Sequence, residues 1–234
     1  MWPIPALEHE LISISFSPDS VACSWIQKTT TGTAPLILRA YKRYLLTNLE
    51  LENLTIFNPT VIKKHITSFL QEHNLSNAFI AISLQGPGLM EKFVTMPTST
   101  PHHTDFGIAT VSNVQWEYRY LYPSDHGQYV FYVYSFPRSL LLQYKLLAIA
   151  AQLNVIAITT KTMSLLDTYK NVFGTAFRRS QLAIDMMRHN NNIDKLISVD
   201  ALRRIITIPA EIGVLAEKSS IASACGLFFS ERMP

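Results

Sequence analysis

The chain has 234 residues, 48% of them hydrophobic, which is enough apolar material to bury a full core and excludes a disordered polypeptide. Its 20 basic and 17 acidic residues leave a net charge of +3, and the basic ones gather only in short pairs such as Arg178-Arg179 and Arg203-Arg204, so the charge gives no ground for nucleic-acid binding. The N-terminus, MWPIPALEHE, lacks the basic start and apolar core of a signal peptide, and the two cysteines, Cys23 and Cys225, sit far apart among small apolar neighbours, as expected of reduced thiols in a cytoplasmic protein.

Leu11 to Ser17 and Val21 to Gln27 alternate with period two around a turn of Ser17, Pro18 and Asp19, and predict a hairpin. Pro35 to Leu46 predicts a third strand of the same meander. Asn58 then offers a helix cap with Pro59 at the first helical position, and Val61, Ile62, Ile66, Phe69 and Leu70 fall at helical spacing. Ala78 to Leu84 is apolar throughout, as in a strand buried on both faces, and the GPG at 86–88 stops it. Leu89 to Met96 predicts the next strand. Asp105 is read as the cap of a helix carrying Phe106, Ile108, Ala109, Val111 and Trp116 towards Tyr120.

Gln128 to Phe136 predicts a strand of aromatic and β-branched residues, Pro137 to Gln152 a helix, and Val155 to Thr159 a buried strand. The long apolar run 139–160 is interrupted by Gln143, Lys145, Gln152 and Asn154, so it reads as helix plus strand and not as a membrane span. Met163 to Phe173 and Arg178 to Arg188 predict helices flanking Gly174, HNNNID at 189–194 a loop, and Lys218 to Phe229 a closing helix rich in small residues. Leu196 to Ile208 fits a short strand, a helix or both. The order is that of an α/β protein with mixed sheets.

Phosphate loops need glycine where backbone N–H groups close on oxygen, and neither GxxxxGK[ST] nor GxGxxG occurs. His102, His103 and Asp105 form the densest ligand-like cluster, but the surrounding TSTP reads as an exposed polar loop; His9, His65, His73, His126 and His189 are scattered. Ser83, Ser135 and Ser198 lack the GxSxG elbow of an α/β hydrolase, which stays as an outside alternative. The aromatics crowding Trp116 to Phe136 serve either as the packing of one lobe or as the wall of a groove for an apolar peptide.

Taken together, these segments resemble the PilM family, the actin-like proteins of type IV pilus assembly. LISISFSPDSVACSWI lies along that family's opening hairpin, roughly IGIDIGSSSVKVVEL, without a gap; Ser15 then stands at the family's aspartate, Ser17 at its glycine and Ala22 at its lysine. VIKKHITSFLQEHNL with AFIAISLQGPGLMEKFVTMP looks like the family's next helix and strands. VQWEYRYLYPSD resembles its wEaeqyiPyp segment, with Trp116, Glu117, Tyr120 and Pro123 at matching places. The stretch from Tyr129 to Tyr169 and the final SSIASACGLFF resemble its later βαβ unit and closing helix.

The resemblance implies an α/β, actin-like (ASKHA), ribonuclease-H-like fold with mixed sheets and one subdomain reduced or missing. It divides the chain into 1–76 (meander and helix), 77–136 (inserted small subdomain and return strand) and 137–234 (second core with a reduced nucleotide lobe and the C-terminal helix). Asp185 and Asp194 are not followed by glycine, so the second phosphate loop has no counterpart. With Ser15, Ser17 and Ala22 replacing the first loop's chemistry, no ATP binding, catalytic residue, metal or other cofactor is expected. The implied role is a non-catalytic cytoplasmic scaffold peripheral to the inner membrane. It would bind the N-terminal peptide of a PilN-like membrane protein through Leu84, Phe93, Trp116 and Tyr118, with a pilus assembly ATPase and a second copy of the chain as further partners. The cytoplasmic domain of GspL-type proteins of type II secretion is a second resemblance, and a divergent actin-like ATPase is the opposing reading.

Overall fold

Alternating apolar and small residues build the opening hairpin: strand β1 (Glu10–Ser17) pairs antiparallel with β2 (Ser20–Lys28), and Ser17 opposes Ser20 across a two-residue turn. A computed structural model describes residues 10–29, 34–75, 79–106, 113–124, 126–173, 182, 185, 195–212 and 214–229. β3 (Leu36–Leu45) completes the meander on the far side of β2. A short hairpin, β4 (Leu51–Glu52) and β5 (Thr55–Ile56), follows, turned by Asn53 and Leu54 in the left-handed region. Helix α1 (Pro59–Glu72) then starts as its sequence dictates. The Asn58 side chain accepts the Val61 N–H at 3.3 Å, and Ile62, Ile66 and Phe69 are buried one turn apart. Each of those three contributes roughly 2 kcal/mol by burial.

β6 (Phe79–Leu84) runs parallel to β1. Then come β7 (Met90–Met96), a 3₁₀ turn at His103–Phe106, β8 (Val114–Pro123) and β9 (Tyr129–Pro137), which form a separate antiparallel sheet in the order β7-β9-β8. Helix α2 (Arg138–Ala150) leads to β10 (Asn154–Thr160), parallel to β6, and α3 (Lys161–Phe173) follows directly. A one-turn helix α4 (Val199–Arg203), the short β11 (Ile206–Thr207) and helix α5 (Val214–Phe229) finish the described chain.

The main sheet has the order β10-β6-β1-β2-β3-β11. An antiparallel meander extended by two parallel strands beside β1 is the ribonuclease-H-like arrangement of the actin-like fold. The sheet draws strands from all three stretches 1–76, 77–136 and 137–234, so those stretches follow chain order and not separate sheets.

The two faces of this sheet carry different residues. Ile12, Ile14 and Phe16 of β1, with Val21 and Cys23 opposite and Ile80, Ile82 and Leu84 alongside, form the large-residue face beneath α1 and α2, where the Phe16 and Tyr144 rings meet edge-on at 4.7 Å. Ser13 and Ser15, with Ser24, Ala22, Ala81 and Ser83, form a small-residue face. There α5 lies close enough for the Ser223 hydroxyl to donate to that of Ser83 at 3.0 Å. Cys23 and Cys225 are buried free thiols, and burial pushes the Cys23 pKa up to about 12.

Of the segment read as a helix from Phe106 towards Tyr120, Phe106 closes the 3₁₀ turn and Val114 to Tyr120 belong instead to strand β8, while 107–112 lie outside the described residues. In β8 Trp116, Tyr118 and Tyr120 alternate with Glu117 and Arg119, a period-two pattern that pairs with β9 and outweighs the local cap signal of Asp105. That carboxylate only closes the turn, accepting the His102 N–H at 2.7 Å. Leu196 to Ile208 contains both α4 and β11. Most of the helix expected over Arg178–Arg188, the 189–194 loop and Asp194 lie outside the described residues, as do the side chain of His103 and the whole of His9 and His189.

Candidate partner-binding groove

The small sheet has two unlike faces because its strands alternate. On the outer face Val94, Phe131, Val133, Trp116, Tyr118 and Tyr120 gather around Phe106 of the 3₁₀ turn, whose ring lies 4.8 Å from Tyr118 and 5.7 Å from Phe131. On the inner face polar tips meet the main lobe. The Tyr132 hydroxyl lies 2.7 Å from the Thr160 hydroxyl and also donates to Glu91, and the Tyr134 hydroxyl donates to Glu117 at 2.5 Å. Arg119 reaches across to α3, its Nη1 2.5 Å from Asp167 Oδ1, and Asp167 is almost fully buried. The contacts to Thr160 and Asp167 fix the small sheet against the end of β10 and the middle of α3.

Burial, first of all, raises the pKa values of the phenols in this region and nearby; Glu91 adds to the shift at Tyr132, Glu117 at Tyr134 and Asp185 at Tyr169, while Tyr144 is raised by burial alone. A phenol raised above its ordinary 10.0 folds in the neutral form. The stability it confers is therefore complete below that pH and is lost as pH rises beyond it. Alkaline titration is expected to show these four tyrosines ionising late and together, in step with loss of the far-ultraviolet helix signal. Their ionisation at the ordinary pH with the fold intact would count against the burial.

Between this sheet and the main lobe runs a groove of about 440 Å³. Gln115 and Glu117 of β8 form one wall, Leu141, Lys145, Ala148 and Ile149 of α2 the other, and Leu153 with Val155 to Ile158 of β10 the floor. β10 stands at the end of the main sheet, so its outer backbone edge lacks a ladder partner among the described residues. Edge strands are ordinarily blunted by charge, proline or cover, and Asn154–Thr160 has neither a charged residue nor a proline. The groove thus sets the largely apolar α2 wall opposite Gln115 and Glu117, beside a strand edge that has no ladder partner among the described residues.

The four residues picked from the sequence do not meet in one place. Leu84 is fully buried at the end of β6, in the core beneath α2. Phe93 lies on the inner face of the small sheet, its ring 5.4 Å from that of Tyr132. Trp116 and Tyr118 come together, with ring centres 6.3 Å apart, but on the outer face. None of the four lines the groove. The residues that do are drawn from 115–117, 136–149 and 153–158; the one signal for them in the sequence is the uncharged β10 stretch after a helix with apolar residues all round.

At the hairpin, Ser15 and Ala22 are buried on the small-residue face beneath α5, and the Ser15 and Ser13 hydroxyls have no hydrogen-bond partner among the described residues. The turn itself is closed by Asp19, whose carbonyl accepts the Leu46 N–H at 2.8 Å and whose carboxylate lies 3.6 Å from Arg43. No residue of the hairpin is left-handed, and Pro18 has no N–H. The αR-αL form of an anion-binding nest requires a left-handed residue, so this turn does not form one of that kind. Ser83 and Ser198 serve in packing and capping, the latter accepting the Ala201 N–H at 3.1 Å. Among the described residues no group of three or more His, Cys, Asp or Glu could hold a metal ion, and no helix is long and apolar enough to cross a membrane.

No protein-family model and no curated protein sequence matches the chain. Among solved structures, a chain of the PilM-PilN type IV pilus biogenesis complex superposes with a TM-score of 0.55 at 12% identity, over 69% of this chain and 50% of that one. The two share one fold. The match spans about half the length of the solved chain. Two further structures are similar: the cytoplasmic domain of EpsL, an inner membrane component of the type II secretion system of Vibrio cholerae, and a Bacteroides thetaiotaomicron protein with an actin-like ATPase fold. The first gives a TM-score of 0.42 at 13% identity over 66% of this chain and 58% of that one, the second 0.34 at 10% over 74% and 59%.

Proposed function

We propose that the chain is a non-catalytic docking component of an inner-membrane assembly of the type IV pilus kind, or of a related secretion or DNA-uptake system. It holds the extended cytoplasmic N-terminal segment of a membrane-spanning, PilN-like partner in the groove between β8, α2 and β10, and through that partner it sits on the cytoplasmic side of the membrane. The observation that carries this reading is the uncharged edge of β10, without a ladder partner among the described residues, on the floor of the groove. An added strand would find backbone partners along 155–158 and pockets for alternate side chains against Leu141 and Ile149. The similar fold found in the PilM-PilN complex supports the choice of partner. The lack of a left-handed residue at the Ser17–Ser20 turn, and the buried Ser15 and Ala22, support a role without nucleotide.

Calorimetry tests both halves. A synthetic N-terminal peptide of the membrane-spanning protein encoded beside this chain is expected to bind saturably. Gln115→Trp, which places a large ring in the groove from an exposed strand position, is expected to weaken that binding about tenfold or more, roughly 1.4 kcal/mol, with little change in stability. Mg-ATP is expected to give no saturable heat. Micromolar nucleotide binding, or peptide binding indifferent to Gln115→Trp, would overturn the proposal.

A further inference from the structure

Helix α2 carries a second apolar surface on the side turned away from the core. Leu142, Leu146 and Ile149 fall at i, i+4 and i+7 and are 55%, 53% and 71% exposed. A helix packed on one face ordinarily turns polar side chains outward. Arg138 and Lys145 lie on this same exposed side, and no acidic residue occurs anywhere in Arg138–Ala150.

Charge narrows the choice of occupant. A second copy of the chain would bring an equally acid-free helix against this one, with no carboxylate from either helix to compensate. An anionic surface complements it. The stripe is a convex helix face made only of aliphatic side chains, without the aromatic anchors seated in pockets that concentrate energy in protein interfaces. Leucine and isoleucine bordered by lysine and arginine are what a helix lying in a lipid headgroup layer presents. We propose that the outward face of α2 docks on an anionic phospholipid surface. Leu142, Leu146 and Ile149 enter the boundary between headgroups and acyl chains, and Arg138 and Lys145 meet lipid phosphates. This contact borders the peptide groove, with which it shares Lys145 and Ile149, while Arg138, Leu142 and Leu146 lie outside the groove lining.

The test is sedimentation of the full chain with vesicles of phosphatidylglycerol and phosphatidylethanolamine, and with vesicles of phosphatidylcholine alone, with no peptide present. Binding to the anionic vesicles is expected to weaken as salt is raised and to fall about tenfold in Leu142→Ser/Leu146→Ser and several-fold in Arg138→Glu, none of these positions lining the groove. Because these positions are exposed, the variants should unfold at the wild-type temperature, and Gln115→Trp should sediment as wild type does, so a failure of the peptide reading leaves this result untouched. Equal binding to neutral vesicles, no binding, or undiminished binding of the double leucine variant would overturn the proposal. So would a concentration-dependent dimer that Leu142→Ser/Leu146→Ser dissociates.

Discussion

Gly226→Ala is expected to destabilise the protein by about 3 kcal/mol or more, a large share of the roughly 5–15 kcal/mol that holds a domain together. A Cβ at Gly226 would stand 1.7 Å from the Ser164 carbonyl oxygen and 2.8 Å from the Thr168 hydroxyl oxygen. The first obstacle is backbone, so no rotamer change relieves it, and α3 would have to retreat by more than roughly 1 Å. That retreat is opposed on both sides. The Thr168 hydroxyl donates to the Ala222 carbonyl at 2.5 Å, and α5 is held to the sheet by Ser223 on Ser83. Alanine's better helix propensity returns only about 1 kcal/mol. Gly127→Ala is the control: Gly127 is left-handed (φ 71) but has nothing within 4 Å of an added Cβ, so only the backbone strain of roughly 1–2 kcal/mol applies. Urea denaturation followed by circular dichroism compares the two, and equal losses would refute the close-approach account of α3 and α5.

Arg119→Met is expected to cost about 2–3 kcal/mol. The Asp167 side chain is 6% exposed and Arg119 23%, so removing the guanidinium strips a close partner from a carboxylate held away from water. Breaking one half of a buried pair ordinarily costs 3–5 kcal/mol, and the partial exposure of Arg119 reduces it. Arg119→Met/Asp167→Leu should recover most of the loss, because the carboxylate is then gone as well. The pair joins β8 to α3, so the single variant should also speed amide exchange along Tyr118 to Leu121 while leaving the meander protected. A cost below about 0.5 kcal/mol, or uniform acceleration of exchange, would show that the pair does not hold the small sheet.

Much of the frame was legible because its signals are local. The Ser17–Ser20 turn, the Asn58-Pro59 start of α1 and the apolar β6 run each state their structure within a few residues. The stretch leading into β8 carries two competing local signals. Asp105 resembles a helix cap, while the alternation of Trp116, Tyr118 and Tyr120 with Glu117 and Arg119 is satisfied only once β9 arrives to pair with it. The chosen groove residues failed to converge for a related reason: strand residues two apart share a face, but nothing local says which face looks at the main lobe. Phe93 and Trp116, both large aromatics on neighbouring segments, end on opposite sides of one sheet.

By itself, then, the sequence determined the α/β order, the meander and hairpin of an actin-like lobe, and the loss of the charged and glycine positions at Ser15, Ser17 and Ala22, all properties of periodicity and residue type. Only the tertiary structure decided that β6, β10 and β11 join one sheet with the meander, that Arg119 finds Asp167 48 positions away, and that β8, α2 and β10 enclose a groove. Those features depend on which edges and faces remain uncovered after every strand has paired, a quantity that no single stretch of the chain contains.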